Sequence, residues 1–122
     1  MPDILLVSDE KNFQAIIDTK AYSKYDLPTT HRDRMIFHYL PDISNYSSSN
    51  YELKFFSYIA GGFSKNIANS LNKIVKDSGV NGSAMPVSVF IKMIEQNNFK
   101  NYSHEEIKNI FSVNRQVNLF DI

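Results

Sequence analysis

A short apolar run that ends in an acid and an amine constrains the fold of this chain more than any other feature. Residues 15–17 read Ala-Ile-Ile, and Asp18, Thr19 and Lys20 follow with no turn signal between them. This pattern predicts a buried β-strand over residues 13–19. Because side chains two positions apart share one face of a strand, we expect Asp18 and Lys20 to point the same way.

The preceding segment predicts a partner strand that brings a second acid to this pair. Residues 4–7 are apolar, and a polar turn separates them from Phe13, which is typical of a β-hairpin. If Ser8 faces Phe13 across the turn, Asp3 lies opposite Asp18. A turn longer by one residue would move Asp3 to the other face of the sheet. We predict the first register, in which facing residues are about 4.5–5.5 Å apart and two carboxylates could share one metal ion.

The composition fits one domain and limits the classes of function. The chain has 122 residues, of which 43% are hydrophobic, so it can build a substantial core. Thirteen basic residues balance thirteen acidic ones, which argues against a domain that finds DNA by itself. The chain contains no Cys, so a disulfide framework and a cysteine-type zinc site are excluded. No signal peptide or membrane-spanning run is indicated, and we expect a cytoplasmic protein.

The rest of the chain alternates helical and extended patterns, which predicts an α/β fold in a single domain over residues 1–122. Helices are expected over 30–40, 64–78, 88–96 and 103–111, and further strands over 53–60 and 83–85. Gly79 is expected to end the second of these helices, and the Ser103 capping box to begin the last. Residues 42–50 are rich in Ser and Asn and are interpreted as an exposed loop.

Asp3, Asp18 and Lys20 together form the pattern Pro-Asp, a spacer and Asp-x-Lys. Mg²⁺ takes oxygen ligands and is usually held by one or two carboxylates plus substrate phosphate. A bound metal lowers the pKa of its water, and a nearby ammonium can orient that water and stabilise developing charge. The alternatives are an exposed strand end with a screened ion pair and, for Asp3, a solvated chain terminus. The pattern alone does not decide between these interpretations.

The wider sequence context supports the catalytic interpretation. Its elements are Pro2-Asp3, Ile16 to Ser23, Leu27-Pro28, Asp33, Gly61, Phe63, Asn66, Asn81 to Ala84, and Val87. In order and spacing they resemble the cleavage domain of FokI-type restriction endonucleases, a branch of the PD-(D/E)XK nuclease superfamily. The resemblance extends from Pro2 almost to Phe120, and the run from Ile17 to Ser23 is its most specific part.

The resemblance implies a fold, a chemistry and a set of partners. The fold would be a restriction-endonuclease-like core, with a small central mixed sheet of the hairpin and one or two further strands, flanked by about four helices. Asp3, Asp18 and the backbone carbonyl of Thr19 would bind Mg²⁺, or Mn²⁺, and Lys20 would be the catalytic lysine. The family cuts double-stranded DNA without sequence preference, in type IIS-like systems. A separate DNA-recognition domain chooses the site, and two cleavage domains pair as a transient homodimer.

The chain departs from this family at several places. Relatives carry further helices and a strand before the Pro-Asp motif, so the domain is expected to lack its usual N-terminal elements. Ile4 replaces a common glycine, and the Ser/Asn loop replaces a tryptophan-containing segment. Phe37 stands where the family has an arginine, so Asp33 cannot form the reciprocal Asp–Arg pair of a dimer. These departures leave open a catalytically inactive remnant that acts as an interaction module.

Several other residues have two interpretations. Lys65 and Asn66 precede a predicted helix and are candidate phosphate contacts, although ordinary capping explains them as well. Tyr22 could lie near the site, but a half-buried aromatic of the strand is the commoner case. The three His residues are interpreted as surface or helix-face residues, and Phe55 to Tyr58 as core. The same catalytic residues could also act on another nucleic acid.

Overall fold

A four-stranded mixed sheet organises the chain in a computed structural model that describes residues 1–122. The strands lie in the order β1 (Ile4–Ser8), β2 (Phe13–Lys20), β3 (Glu52–Ala60) and β4 (Asn81–Pro86). β1 runs antiparallel to β2, whereas β2 pairs with β3 and β3 with β4 in parallel. The predicted α/β class and mixed sheet are therefore confirmed, with two strands beyond the hairpin.

The hairpin adopts the predicted register. Ser8 pairs with Phe13, and Ile4 pairs with Ile17. Continued by one residue, this register places Asp3 opposite Asp18. Asn12 closes the turn with a φ of 55°, a left-handed conformation in which asparagine is enriched.

Helical segments connect the parallel strands and cover both faces of the sheet. They are α1 (Thr29–Arg34), continued by a π-helical turn at Met35–Tyr39, then α2 (Ile43–Tyr46), α3 (Ile67–Ser78), α4 (Val87–Lys100), α5 (His104–Ile110) and a 3-10 turn at Leu119–Asp121. Gly79 ends α3 with a φ of 74°, and Ser103 caps α5 through a complete capping box, as predicted. None of the helices is long and apolar enough to cross a membrane.

Two predicted boundaries were wrong, one of a loop and one of a helix. The predicted loop over 42–50 contains the short helix α2, and α3 begins at Ile67, three residues later than expected. The late start has a physical cause, because the Ser64 amide donates to the carbonyl of Tyr25 at 2.9 Å. That bond holds the segment before α3 against another loop and removes it from the helix.

The alternating side chains of the sheet build two separate cores. Ile16, Phe56 and Tyr58 face α3 and the π-helical turn after α1, while Ile17 and Phe55 face α4 and α5. This is the period of two that a strand imposes on its side chains. Residues on β2 with even numbers therefore share the first face, and Asp18 and Lys20 belong to it.

The two edges of the sheet differ. The backbone of 114–117 runs beside β4, with Asn114 N–H donating to Gly82 and Val117 N–H donating to Ala84 at 2.8 and 2.9 Å. At the other edge, β1 pairs with β2 alone. The outer edge of β1 therefore offers unpaired backbone groups, which native proteins usually cover or protect.

Gly82 provides a test of the packing between β3 and β4. It pairs directly with Phe56, and a Cβ at this position would lie 2.1 Å from the Phe56 ring. We expect Gly82→Ala to lower the free energy of unfolding by about 1–3 kcal/mol through overpacking. Urea denaturation measures the effect, and the cost should shrink in a Phe56→Leu background, which removes the clashing ring atoms. An equal cost in both backgrounds would contradict this packing.

Candidate active site

The carboxyl end of β2 carries a nearly buried ion pair. Lys20 Nζ lies 2.9 Å from Asp18 Oδ2, and the two side chains are only 14% and 6% exposed. Their spacing on β2 places them on one face, as expected, and both side chains are largely shielded from solvent. The interpretation as an exposed, screened ion pair is therefore wrong. Burial of both charges makes the pair electrostatically stronger and also more costly to desolvate.

Asp3 is anchored against the same strand end. Its Oδ2 accepts hydrogen bonds from the Thr19 amide and from Thr19 Oγ1, both at 2.9 Å. The side chain is exposed, yet these two bonds fix its orientation. Asp3 is thus held beside Asp18 by the hairpin register, although it remains as exposed as a solvated chain terminus would be.

The two carboxyl groups have pKa values shifted in opposite directions. The pKa of Asp3 is lowered, first by the hydrogen bond from the Thr19 backbone, then by contact with Asp18. The pKa of Asp18 is raised, chiefly because burial penalises its charged form, while Lys20 opposes that shift and Asp3 adds to it. Burial and the neighbouring Asp3 carboxylate therefore destabilise the ionised form of Asp18 more than Lys20 stabilises it.

The donor set suits a hard divalent cation. The chain has no cluster of three or more His, Cys, Asp or Glu side chains that could form a complete metal cage. Mg²⁺ usually needs only one or two carboxylates, with water and substrate phosphate completing its coordination. Asp3 and Asp18 fit that requirement, and added positive charge would offset the raised pKa of Asp18. The Thr19 carbonyl as a further ligand stays a prediction.

Tyr58 adds an unpaired polar group beside Asp18. The two residues pair across β2 and β3, and the buried Tyr58 hydroxyl has no hydrogen-bond partner. Its pKa is raised well above the usual value by burial, then by Tyr25 and Asp18. Leaving a buried hydroxyl unpaired costs about 1–3 kcal/mol, a cost that functional sites tolerate more often than cores. Sequence reasoning placed Tyr58 in the core, and only the strand register could have linked it to the acid.

An aromatic group follows the ion pair in the loop after β2. The rings of Tyr22 and Tyr25 stack at 5.4 Å, and those of Tyr25 and His31 at 5.8 Å. His31 Nδ1 is hydrogen bonded to Tyr25 Oη at 2.7 Å. The pKa of His31 is lowered, first by burial and then by Lys20 and Arg34. His31 therefore belongs to the surroundings of the site, which its interpretation as a surface or helix-face residue did not reveal.

Tyr22 itself departs from its predicted setting. It lies in the loop after β2 and is 52% exposed, so the half-buried strand position expected for it was wrong. The strand pairing stops at Lys20, and the chain then turns towards residues 61–64.

Three other predicted positions lie outside this cluster of contacts. The side chains of Lys65 and Asn66 are exposed in the turn before α3 and make no hydrogen bond or ion pair. Their role as phosphate contacts stays a prediction. Asn66 occupies the N-cap position without a side-chain cap bond, so ordinary capping does not explain it. Phe37 is 62% exposed on the π-helical turn.

The opposite pKa shifts give opposite effects on stability. Because the folded chain raises the pKa of Asp18 with Lys20 beside it, ionised Asp18 costs stability at neutral pH, and this cost should disappear as the pH falls through the raised pKa. Because the fold lowers the pKa of Asp3, its ionised form stabilises at neutral pH, and Asp3→Asn is expected to lower the unfolding temperature. The Asp3 contribution should disappear as the pH falls through its lowered pKa. Thermal unfolding of the chain and of Asp3→Asn in a chelator, followed against pH, measures both contributions, and an unchanged or higher unfolding temperature for Asp3→Asn at neutral pH would contradict the site electrostatics.

Comparison with known proteins gives a family and a fold. The model of the family "FokI, cleavage domain" matches residues 1–118. The structure of restriction endonuclease FokI is 24% identical, with a TM-score of 0.78 over 96% of this chain. The structure of restriction endonuclease FokI bound to DNA is 26% identical, with a TM-score of 0.79 over 96% of this chain.

The matched region is only a part of each FokI structure. The chain spans 23% of each of the two FokI structures. A comparison with curated protein sequences finds no match. The family match nevertheless includes β1, β2 and all three predicted catalytic residues, and it extends past α5. On that match, the chain belongs to the FokI cleavage-domain family.

Proposed function

We propose that this domain is a divalent-metal-dependent endonuclease that hydrolyses phosphodiester bonds of double-stranded DNA without sequence preference. The observation that carries the proposal is the buried Asp18–Lys20 pair at the end of β2, with Asp3 fixed beside it by Thr19. Two acids and one amine on neighbouring strands are the groups that metal-assisted phosphodiester cleavage requires. The family match and the likeness to a FokI structure bound to DNA support DNA as the substrate.

In this mechanism each residue has a separate task. Asp3 and Asp18 would hold Mg²⁺ or Mn²⁺, together with the Thr19 backbone carbonyl. When bound, the metal supplies a water of lowered pKa and neutralises charge on the phosphate. Thr19 keeps the Asp3 carboxylate oriented through two hydrogen bonds. Lys20 orients the attacking water and stabilises the negative charge that develops on the phosphate oxygens.

The position of Lys20 agrees with this role. Its ammonium group contacts Asp18 at 2.9 Å, so it is already held at the edge of the acidic pair. Because its side chain is only 14% exposed, it loses little conformational freedom when the substrate binds. A lysine that is fixed before the reaction is preorganised for electrostatic stabilisation.

The whole protein would use this domain within a type IIS-like restriction system. The chain is neutral overall, which suits a cleavage module that a separate DNA-recognition domain delivers to its site. Phe37 occupies the position of the family's pairing arginine, so a transient homodimer through that helix would rely on apolar contact. Lys65 and Asn66 would contribute phosphate contacts from the turn before α3.

The free edge of β1 supports a further component of the domain. An apolar groove of about 330 Å³ lies beside this edge, and its lining includes Ile4, Leu6, Phe90, Met93 and Ile94. We propose that an additional N-terminal segment pairs with β1 and covers this groove. An extended segment would satisfy the unpaired backbone groups of β1 and bury apolar area at the same time.

A catalytically inactive remnant is the second candidate function. The neutral charge and the aromatic residue at position 37 favour it, because both remove features that help a nuclease bind and pair. Such a domain would keep the fold and bind a partner through the free edge of β1. It would have no need to bind a divalent metal at Asp3 and Asp18.

A cleavage assay tests the proposed activity. With Mg²⁺ and plasmid DNA, the chain is expected to cut, and Asp18→Ala and Lys20→Ala are each expected to lower the rate at least about 100-fold. Lys24→Ala, which removes an exposed lysine outside the ion pair, is the matched control. Equal rates for the chain and both site variants would mean contamination and refute the assignment. Parallel reactions on single-stranded DNA and RNA test the substrate, and a preference for RNA would contradict a restriction-type nuclease.

Metal titration separates the proposal from the inactive remnant. Calorimetry with Mn²⁺ is expected to detect binding to the chain and its loss in Asp3→Ala and Asp18→Ala, since each variant removes a carboxylate ligand. A chain that binds no metal would support the remnant. A chain that binds metal but cuts only when extended at its N-terminus would assign the missing activity to the free edge of β1.

A further inference from the structure

Three stacked rings lie directly after the proposed catalytic pair. Tyr25 is buried and stacks with both Tyr22 and His31. The outer ring belongs to Tyr22, two residues beyond Lys20, and its side chain is 52% exposed. The stack therefore presents one aromatic ring to solvent next to the end of β2.

The backbone beneath this ring is fixed. The Tyr22 carbonyl accepts from Gly61 N–H, and the Tyr25 amide donates to the Gly62 carbonyl, both at 2.9 Å. A Cβ at Gly62 would lie 2.4 Å from the Ser23 carbonyl oxygen, so this close approach of two loops requires glycine. An exposed ring on a fixed backbone can bind a flat partner with little loss of conformational entropy.

Charges of both signs surround the stack. Lys20 and Arg34 raise the positive potential at His31, while Asp18 and Asp26 oppose them. A metal ion at Asp18 would leave the cations dominant. The Nδ1 atom of His31 is occupied by Tyr25, so its Nε2 atom is the ring nitrogen left to meet a polar group.

We propose that Tyr22 stacks on an unpaired nucleobase adjacent to the phosphate that Asp3, Asp18 and Lys20 act on. The inference rests on the proposed nuclease function and assigns to it a base-binding subsite. Stacking on an aromatic ring is tolerant of base identity, because every base has a π-face. In a closed duplex the faces of the bases are covered by their neighbours. The subsite therefore takes a base that has left the stack of the duplex beside the cut.

Fluorescence of 2-aminopurine tests this subsite without cleavage. The chain contains no Trp, so the signal of a 2-aminopurine base in a short single-stranded DNA can be read without tryptophan emission. With Ca²⁺ in place of Mg²⁺ and at low salt, binding is expected to quench the probe. Tyr22→Phe keeps the ring and is expected to bind as the original chain does. Tyr22→Leu keeps apolar cover over Tyr25 and is expected to weaken binding about tenfold and abolish the quench.

Controls separate this inference from loss of fold and from the nuclease proposal. Phe99→Ala removes a 93% exposed ring from α4, on the other face of the sheet, and should change neither affinity nor quench. Thermal unfolding of Tyr22→Leu should match that of Tyr22→Phe. Unchanged affinity and quench in Tyr22→Leu, or no binding by the original chain in Ca²⁺, would overturn the subsite. Quench by a chain that neither binds Mn²⁺ nor cuts with Mg²⁺ would instead refute the nuclease proposal and leave the base-binding surface standing.

Discussion

The nearly buried contact between Asp18 and Lys20 is the interaction on which the candidate site depends. Taking a carboxylate and an ammonium out of water is costly, and a buried pair adds little net stability compared with apolar packing. The raised pKa of Asp18 shows that the cost is not fully offset here. The other side chains of this strand pack into two apolar cores, so apolar packing rather than the ion pair supplies most of the stability of the sheet.

The hairpin gives this pair its third member through register alone. Ser8 opposite Phe13 sets every later pairing, and a shift of one residue would carry Asp3 to the other face. Thr19 then converts proximity into a fixed orientation by donating two hydrogen bonds to one carboxylate oxygen of Asp3. The site is thus assembled from neighbours on one antiparallel pair, and the distant parts of the chain contribute mainly burial. This local origin explains why the arrangement of Asp3, Asp18 and Lys20 could be predicted from a short stretch of sequence.

The sequence was informative where short-range rules decide the structure. Alternation and turn length gave the hairpin and its register, and glycine at position 79 ended α3 as expected. It was uninformative where tertiary contacts override local preference. The bond from Ser64 to Tyr25 delayed the start of α3. Likewise, the stacking of Tyr22 and His31 on Tyr25 depends on two loops that meet only in the folded chain. No local pattern signals such a meeting, apart from the Gly61-Gly62 pair that permits it.

That glycine pair links the two parts of the site. Gly61 and Gly62 hydrogen bond to the backbone of Tyr22 and Tyr25 in the loop after β2, and this loop begins directly after Lys20 and carries the exposed ring of Tyr22. Because the backbone of this segment is already fixed, a ligand that binds Asp18 and Lys20 causes little further loss of conformational entropy. A divalent cation would also relieve the unfavourable charge on Asp18. It would thereby stabilise the folded chain through its preference for that state. Binding of a divalent cation at this site should consequently raise the free energy of unfolding, since it neutralises one buried carboxylate.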